Sequence, residues 1–220
     1  MTNRAPTNPR HDETLRAGIE RNLAAHAAAP SPETGLKRAA VCLIVADDGT
    51  GGAAVLLTRR AARLSAYSGQ FALPGGRVDA GESADAAALR EAREEIGLEL
   101  APESILGRLD DYPTRSGYLI TPIVAWAPRD AALRANPAEV AAIYRVRVSE
   151  LDRPGSPEFV AIPESDRPVI RYPLLGTKIH APTAAVLYQF IEVALHGRAT
   201  RVAQLEQPTW AWASGTSTPG

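Results

Sequence analysis

The sequence predicts an α/β fold, with one mixed β-sheet covered by helices on both sides. Three observations point there. Apolar positions recur at helical spacing in three segments and as short extended runs between them, in the order helix, strands, helix, strands, helix. Hydrophobic residues make up 45% of the chain, enough for a sizeable core and against wholesale disorder. The 220 residues show no internal repeat of fixed period, and that length suits one domain with short extensions.

Residues 1–10 are polar and contain prolines, so they are expected to be flexible. A single domain is expected over 11–205, starting with a helix over 11–28 in which Leu15, Ile19 and Leu23 recur every fourth residue. The stretch PSPETG at 30–35 ends it. AAVCLIVA (39–46) and AAVLLTRR (53–60) read as strands, and DDGTGG between them reads as the turn of a hairpin. ARLSAYSGQ then reads as a loop, and FALPGGRV as a short extended piece ending in a turn. The central helix follows, with Ser83 as N-cap, Asp85 in the first turn and Gly97 as the C-terminal stop. SILGRLDDY, YLITPIVAWA, VAAIYRVRV and EFVAI read as strands, and residues 182–197 as a closing helix that stops at Gly197. Residues 206–220 are expected to form a tail ending in a low-complexity polar string.

Charge and composition narrow the function classes. The formal net charge of -1 lacks the basic footprint of a nucleic-acid binder. No apolar run approaches membrane-spanning length, and the first residues carry no apolar signal core. Cys42 is the only cysteine, so no internal disulfide forms, and its apolar neighbours predict a buried structural thiol. Cytoplasmic localisation is the default expectation.

The stretch GGRVDAGESADAAALREAREEIGLEL carries the chemistry. On a helix Glu91 and Glu95 stack one turn apart, with Glu94 offset toward Arg90. Like charges at that spacing repel each other, and a hard cation would relieve them. Arg90 can pair with Glu94, fixing one carboxylate and leaving the others for metal. Gly75 and Gly76 allow close approach of main chain, so that a carbonyl near Gly76 can face the same ion, and Glu82 lies where it can orient a ligand or a water. Taken alone, REAREE reads as a solvated helix face and GG as a turn; their joint spacing decides between the two.

From Gly76 there are five residues to Glu82 and seven more to Arg90, followed by Glu91, Ala92, Arg93, Glu94, Glu95, Ile96, Gly97 and Leu98. This resembles the box of the Nudix hydrolases, G-x5-E-x7-R-E-U-x-E-E-x-G-U, where U is aliphatic. The resemblance implies an α/β/α sandwich with a mixed sheet. It also implies a Mg²⁺- or Mn²⁺-dependent hydrolase of a diphosphate joined to another group. It makes Glu91 and Glu95 the leading metal ligands and Glu94 a third ligand or base. Arg90 would orient the glutamates, and the Gly76 carbonyl would complete the shell. Divalent ions neutralise the diphosphate and acidify a bound water, whose proton a carboxylate accepts. Any of the three glutamates can do so, and Glu139 in a downstream loop is an outside candidate.

Upstream, LLTRRAARLSAYSGQFALPGG is similar to the motif of the coenzyme A diphosphatase branch, L-L-T-x-R-[SA]-x3-R-x3-G-x3-F-P-G-G. Leu56, Leu57, Thr58, Arg60, Ala61, Gly69, Pro74, Gly75 and Gly76 fit. Ser65 stands where arginine is expected and Leu73 where phenylalanine is, and Ser65 removes a cation with bidentate reach toward phosphate. The resemblance extends over roughly residues 37–205 and implies CoA or a CoA-like nucleotide as the small-molecule partner, with Arg60 and Gly69 as substrate-binding residues. Sister activities on ADP-ribose, nucleotide sugars or dinucleotides would use the same metal centre, and a non-catalytic sensor of a nucleotide metabolite would use the same fold.

Other residues carry weaker expectations. Alternation along a strand means Arg59 and Arg60 do not both face the site. Asp110, Asp111 and Tyr112 read as a polar turn, and His180 as a surface or capping histidine. Trp210 and Trp212 are open to three uses: packing back on the body, a seam in a homodimer, or contact with substrate.

Overall fold

A computed structural model describes residues 7–61 and 69–212. Helix α1 (Glu13–His26) is capped by Asp12, whose carboxylate accepts from the Leu15 amide, and it buries Ile19 and Leu23. Residues 8–10 ahead of it are tied down rather than loose. The Asn8 amide donates to the Ala53 carbonyl at 3.0 Å, and Arg10 bridges Gly52.

Strands β1 (Lys37–Asp47) and β2 (Ala53–Arg60) form the expected antiparallel hairpin, with Val45 opposite Val55. Both are almost continuously apolar because both of their faces are covered. Two short strands follow, β3 (Phe71–Ala72) against β2 and β4 (Gly75–Arg77) against β1. Helix α2 (Ala84–Ile96) begins at Ser83, whose hydroxyl accepts from the Ala86 amide. It ends at Gly97, which is left-handed with φ 66° and donates to the Arg93 carbonyl. Its buried face is mostly alanine, which lets the helix lie close to β1.

Strands β5 (Ile105–Arg108), β6 (Tyr112–Pro113), β7 (Tyr118–Trp126) and β8 (Val140–Arg147) complete the large sheet. Strand β7 runs parallel to β1, and β8 runs antiparallel to β2 along its length, so the sheet is mixed. Helix α2 covers one face. The other lies under α1, helix α4 (Thr183–Gln189) and the π-helical turns Phe190–Leu195 that extend it. The α/β/α sandwich with a mixed sheet is therefore present. Cys42 is fully buried within it, and burial pushes its thiol pKa up to about 12.

One part was not foreseen. Between the short helix α3 (Val148–Leu151) and α4, three antiparallel strands form a second sheet: β9 (Glu158–Ile162), β10 (Ser165–Leu174) and β11 (Thr177–His180). Only β9 is legible as a strand in the sequence. Pro168 and Pro173 interrupt β10, and Pro168 falls in the register break between Ser165 and Val169. Residues 206–212 also fold back. The Glu206 amide donates to the Pro168 carbonyl at 2.8 Å, and the Glu206 carboxylate is buried against Arg115 and Arg167. No helix among the described residues is long and apolar enough to cross a membrane.

Candidate active site

The site forms where β4 meets α2. Gly75 and Gly76 pair with Val41 and Ala40 of β1. A Cβ on Gly75 would stand 2.5 Å from the Ala40 carbonyl oxygen, and one on Gly76 would stand 2.2 Å from Glu91 Oε1. Only glycine allows this approach, and the result is main chain laid directly against the Glu91 carboxylate.

Arg90 ties the surroundings together. Its Nε and Nη2 donate to the two oxygens of Glu82 at 2.9 and 3.1 Å, and Nη2 also donates to the Arg77 carbonyl at 3.0 Å. Its Nη1 reaches Glu91 Oε1 at 2.8 Å and Glu94 Oε2 at 3.0 Å. The expected Arg90–Glu94 pair is therefore present, but Arg90 also holds Glu91, which the sequence left free. Glu82 is engaged with Arg90 and with the Asp79 amide, and their hydrogen bonds lower its pKa. Its place is to hold Arg90, rather than to face a ligand. The Glu94 side chain is 46% exposed, while Glu95 is only 5% exposed.

Glu91 and Glu95 are acids under strain. Burial raises the Glu91 pKa, Arg90 counters it, and the charges of Glu94 and Glu139 add to it. Burial pushes Glu95 up to about 8, helped by Glu91 and Glu139 and opposed by Arg60 and the Gly75 backbone. Arg60, at the end of β2, acts on Glu95 across the sheet edge, and its buried Nε has no hydrogen-bond partner among the described residues. Glu139 joins them because the loop before β8 is fastened to both neighbours. Asn136 donates its amide to the Glu95 carbonyl at 2.8 Å, and Ala61 donates to the Glu139 carbonyl at 2.8 Å.

These residues form a hard-oxygen donor set with more carboxylates than Arg60 and Arg90 can balance. Glu91 and Glu95 could hold a divalent cation and so relieve their repulsion. Among the described residues, no group of three or more His, Cys, Asp or Glu side chains converges into a ready metal cage. A Mg²⁺-like ion does not require one, since it takes one or two carboxylates together with water and phosphate oxygens.

The other candidates are dispersed. Gly69 lies across the end of β2, where its amide donates to the Arg60 carbonyl at 3.2 Å. Arg59 faces away from α2, into a cleft with Phe71 and Tyr144. Asp110 is structural: its carboxylate accepts from Gln189 at 2.6 Å and from the Ala29 amide at 2.8 Å, and it pairs with Arg201 and with His26. The Tyr112 hydroxyl donates to the Leu205 carbonyl at 2.9 Å. Trp212 packs back under Arg115 and donates to the Gln207 carbonyl, while Trp210 stands edge-on to His180. Ser65 lies outside the described residues. No local signal marks Phe71, Tyr144 and Lys178 as sharing one cleft, since each comes from a different strand.

A family model described as NUDIX domain matches residues 36–168. The chain is 46% identical over 97 residues to the uncharacterized Nudix hydrolase NudL of Photorhabdus laumondii, a match that covers 44% of this chain and 52% of that protein. It is 39% identical over 97 residues to the uncharacterized Nudix hydrolase NudL of Escherichia coli K12, covering 44% and 50%. The chain thus spans about half the length of the curated relatives it matches. Among solved structures, a MutT/nudix family protein from Enterococcus faecalis superposes with a TM-score of 0.48 at 20% identity, covering 76% of this chain and 65% of that one. A Nudix hydrolase from M. smegmatis, RenU, superposes with a TM-score of 0.42 at 30% identity, covering 54% and 75%.

Proposed function

The chain belongs to the NUDIX domain family, and from that premise we propose that it hydrolyses the diphosphate bond of CoA or a CoA-like nucleotide derivative, using Mg²⁺ or Mn²⁺. The observation that carries the proposal is the pair of carboxylates, half-buried Glu91 and buried Glu95, one turn apart and set against the glycine turn at Gly75 and Gly76. A carboxylate pair without enough cationic partners is unfavourable as a structural device and suits a divalent ion.

Glu91 and Glu95 would hold the ion, with Glu94 and the Gly76 carbonyl as further oxygen donors. When bound, the ion neutralises diphosphate charge and acidifies a coordinated water. The protein's own groups do the rest. Arg90 fixes the Glu91 and Glu94 carboxylates in one orientation through a guanidinium that Glu82 holds in turn. Glu139, exposed at the rim and close enough for its charge to act on Glu91 and Glu95, would accept the proton of the attacking water. Arg60 offers an unpartnered donor to a phosphate oxygen.

Support for CoA comes from the upstream motif, in which Leu56, Leu57, Thr58, Arg60 and Gly69 fit. Ser65 in place of arginine favours the second reading, a sister diphosphate such as ADP-ribose, a nucleotide sugar or a dinucleotide. The test is a hydrolysis screen over CoA, acyl-CoA, ADP-ribose, NADH, dinucleotides and nucleotide sugars, with Mg²⁺ or Mn²⁺ and with EDTA. The expected result is cleavage of CoA to 3′,5′-ADP and 4′-phosphopantetheine, abolished by EDTA. CoA near the bottom of the ranking would transfer the assignment to the sister substrate at the top. No cleavage of any member, with tight binding of one, would make the protein a sensor.

A further inference from the structure

A cleft of about 540 Å³ lies on the face of β2 opposite α2, between the large sheet and the three-stranded sheet. Arg59, Phe71 and Tyr144 form one wall; Lys178, His180 and Trp210 form the other. Its size falls within the range of small-molecule sites. Two features mark it as more than a seam. Trp210 is 56% exposed and Leu175, also on the rim, is 38% exposed, an unusual outlay of large apolar surface beside water. The rings stand edge-on in two pairs, Phe71 with Tyr144 at 5.2 Å and His180 with Trp210 at 5.7 Å, so ring faces remain for stacking.

The cleft is also electropositive. Arg59 has no ion-pair partner among the described residues. Lys178 and Arg171 share a single carboxylate, Glu158, at 3.2 and 2.6 Å, which leaves an excess of positive charge beside His180. Aromatic faces with an unpaired guanidinium match a flat ring that carries an anionic group. A flexible neutral chain would use neither feature.

The cleft adjoins the carboxylate site. Gly69 lines it and donates its amide to the Arg60 carbonyl, so the cleft reaches the strand end from which Arg60 points the other way.

We infer that this cleft receives the phosphorylated, ring-bearing end of the substrate, remote from the bond that is cleaved, and that Arg59 and Trp210 set specificity for it. The inference rests on the diphosphatase reading for the identity of the substrate, but it is tested apart from turnover. The probe is 3′,5′-ADP, titrated calorimetrically in EDTA against wild type, Arg59→Gln and Trp210→Ala. Both side chains are exposed, so the variants are expected to keep the wild-type melting temperature, which is measured alongside. Each should weaken 3′,5′-ADP binding about tenfold. In steady-state assays, Arg59→Gln should raise KM about tenfold for CoA and less than about twofold for dephospho-CoA, which lacks the additional phosphate. Unchanged 3′,5′-ADP affinity in both variants, or an equal rise in KM for the two substrates, would overturn the inference while leaving the proposed function intact. Binding that both variants weaken, in a protein that cleaves no diphosphate, would uphold the cleft and remove the hydrolase.

Discussion

Glu95 and Glu206 are both buried glutamates, 5% and 1% exposed, yet their surroundings drive them in opposite directions. Burial raises both. At Glu206 the hydrogen bond from Arg115, the Gln207 amide and the charge of Arg167 more than offset it, and the pKa settles near about 2. At Glu95 the nearest charges are mostly acids, and the pKa climbs to about 8. Two arginines pair with the first carboxylate at 2.5 and 2.9 Å, whereas Arg60 acts on the second through its charge without an ion pair among the described residues. A buried acid with its partners supplied by the chain holds the chain together. A buried acid left short of them destabilises the free protein, and under the proposed function the missing partner is a divalent cation from solution.

The contrast yields predictions of graded size. Glu95→Gln should lower kcat by about three orders of magnitude while leaving the melting temperature in EDTA equal or higher, because the amide replaces a carboxyl group whose raised pKa costs stability above pH 4.5. Steady-state kinetics and thermal melts of the same preparation check both halves; a large loss of stability would place Glu95 with Glu206 as a structural acid.

Gly76→Ala comes next. Its methyl would overlap Glu91 Oε1 at 2.2 Å, and displacing that carboxylate should cost about a hundredfold in kcat with a milder effect on stability. Glu206→Gln should show the reverse pattern. It should lower stability in urea unfolding by about 2 kcal/mol, a figure reduced for the partial exposure of Arg115 and Arg167, with kcat changing little.

The smallest effect is on pH. A carboxylate whose pKa is lowered by folding contributes stability above its unfolded value of 4.5 and loses it as pH falls toward the folded value, here about 2. The wild-type melting temperature should therefore drop as pH is lowered through that window, with Asp110, also lowered, adding to the fall. Glu206→Gln should flatten the part due to Glu206.

The large sheet and the carboxylate helix were legible because their signals are local. Ser83, Gly97 and the apolar runs of β1 and β2 each announce an element within a few residues. The glutamates share one helix, so their proximity follows from 3.6 residues per turn alone. Two things lay beyond local signals. Helical spacing paired Arg90 with Glu94 alone and only the resemblance had it orient the glutamates together; it grips Glu91 as well because its direction is fixed by Glu82 and the Arg77 carbonyl, which are neighbours through the fold. The cleft draws its walls from residues between 59 and 210, and only the pairing of Arg59 with Phe71 and of Leu57 with Tyr144 brings the first wall together. Register between distant strands leaves no local mark, and the prolines of β10 hid the other wall.

The folded-back end of the chain has one more consequence. Glu206 is the hasp that fixes where residues 207–212 run, and Trp210 stands four positions beyond it. Cutting the chain after Gln204 would spare α2 and its glutamates but strip the indole from the chamber behind β2. If the inference for Trp210 holds, such a shortened protein would keep its chemistry and lose part of its discrimination, and substrate choice would rest partly on a segment that a helix-by-helix account of the fold would trim away.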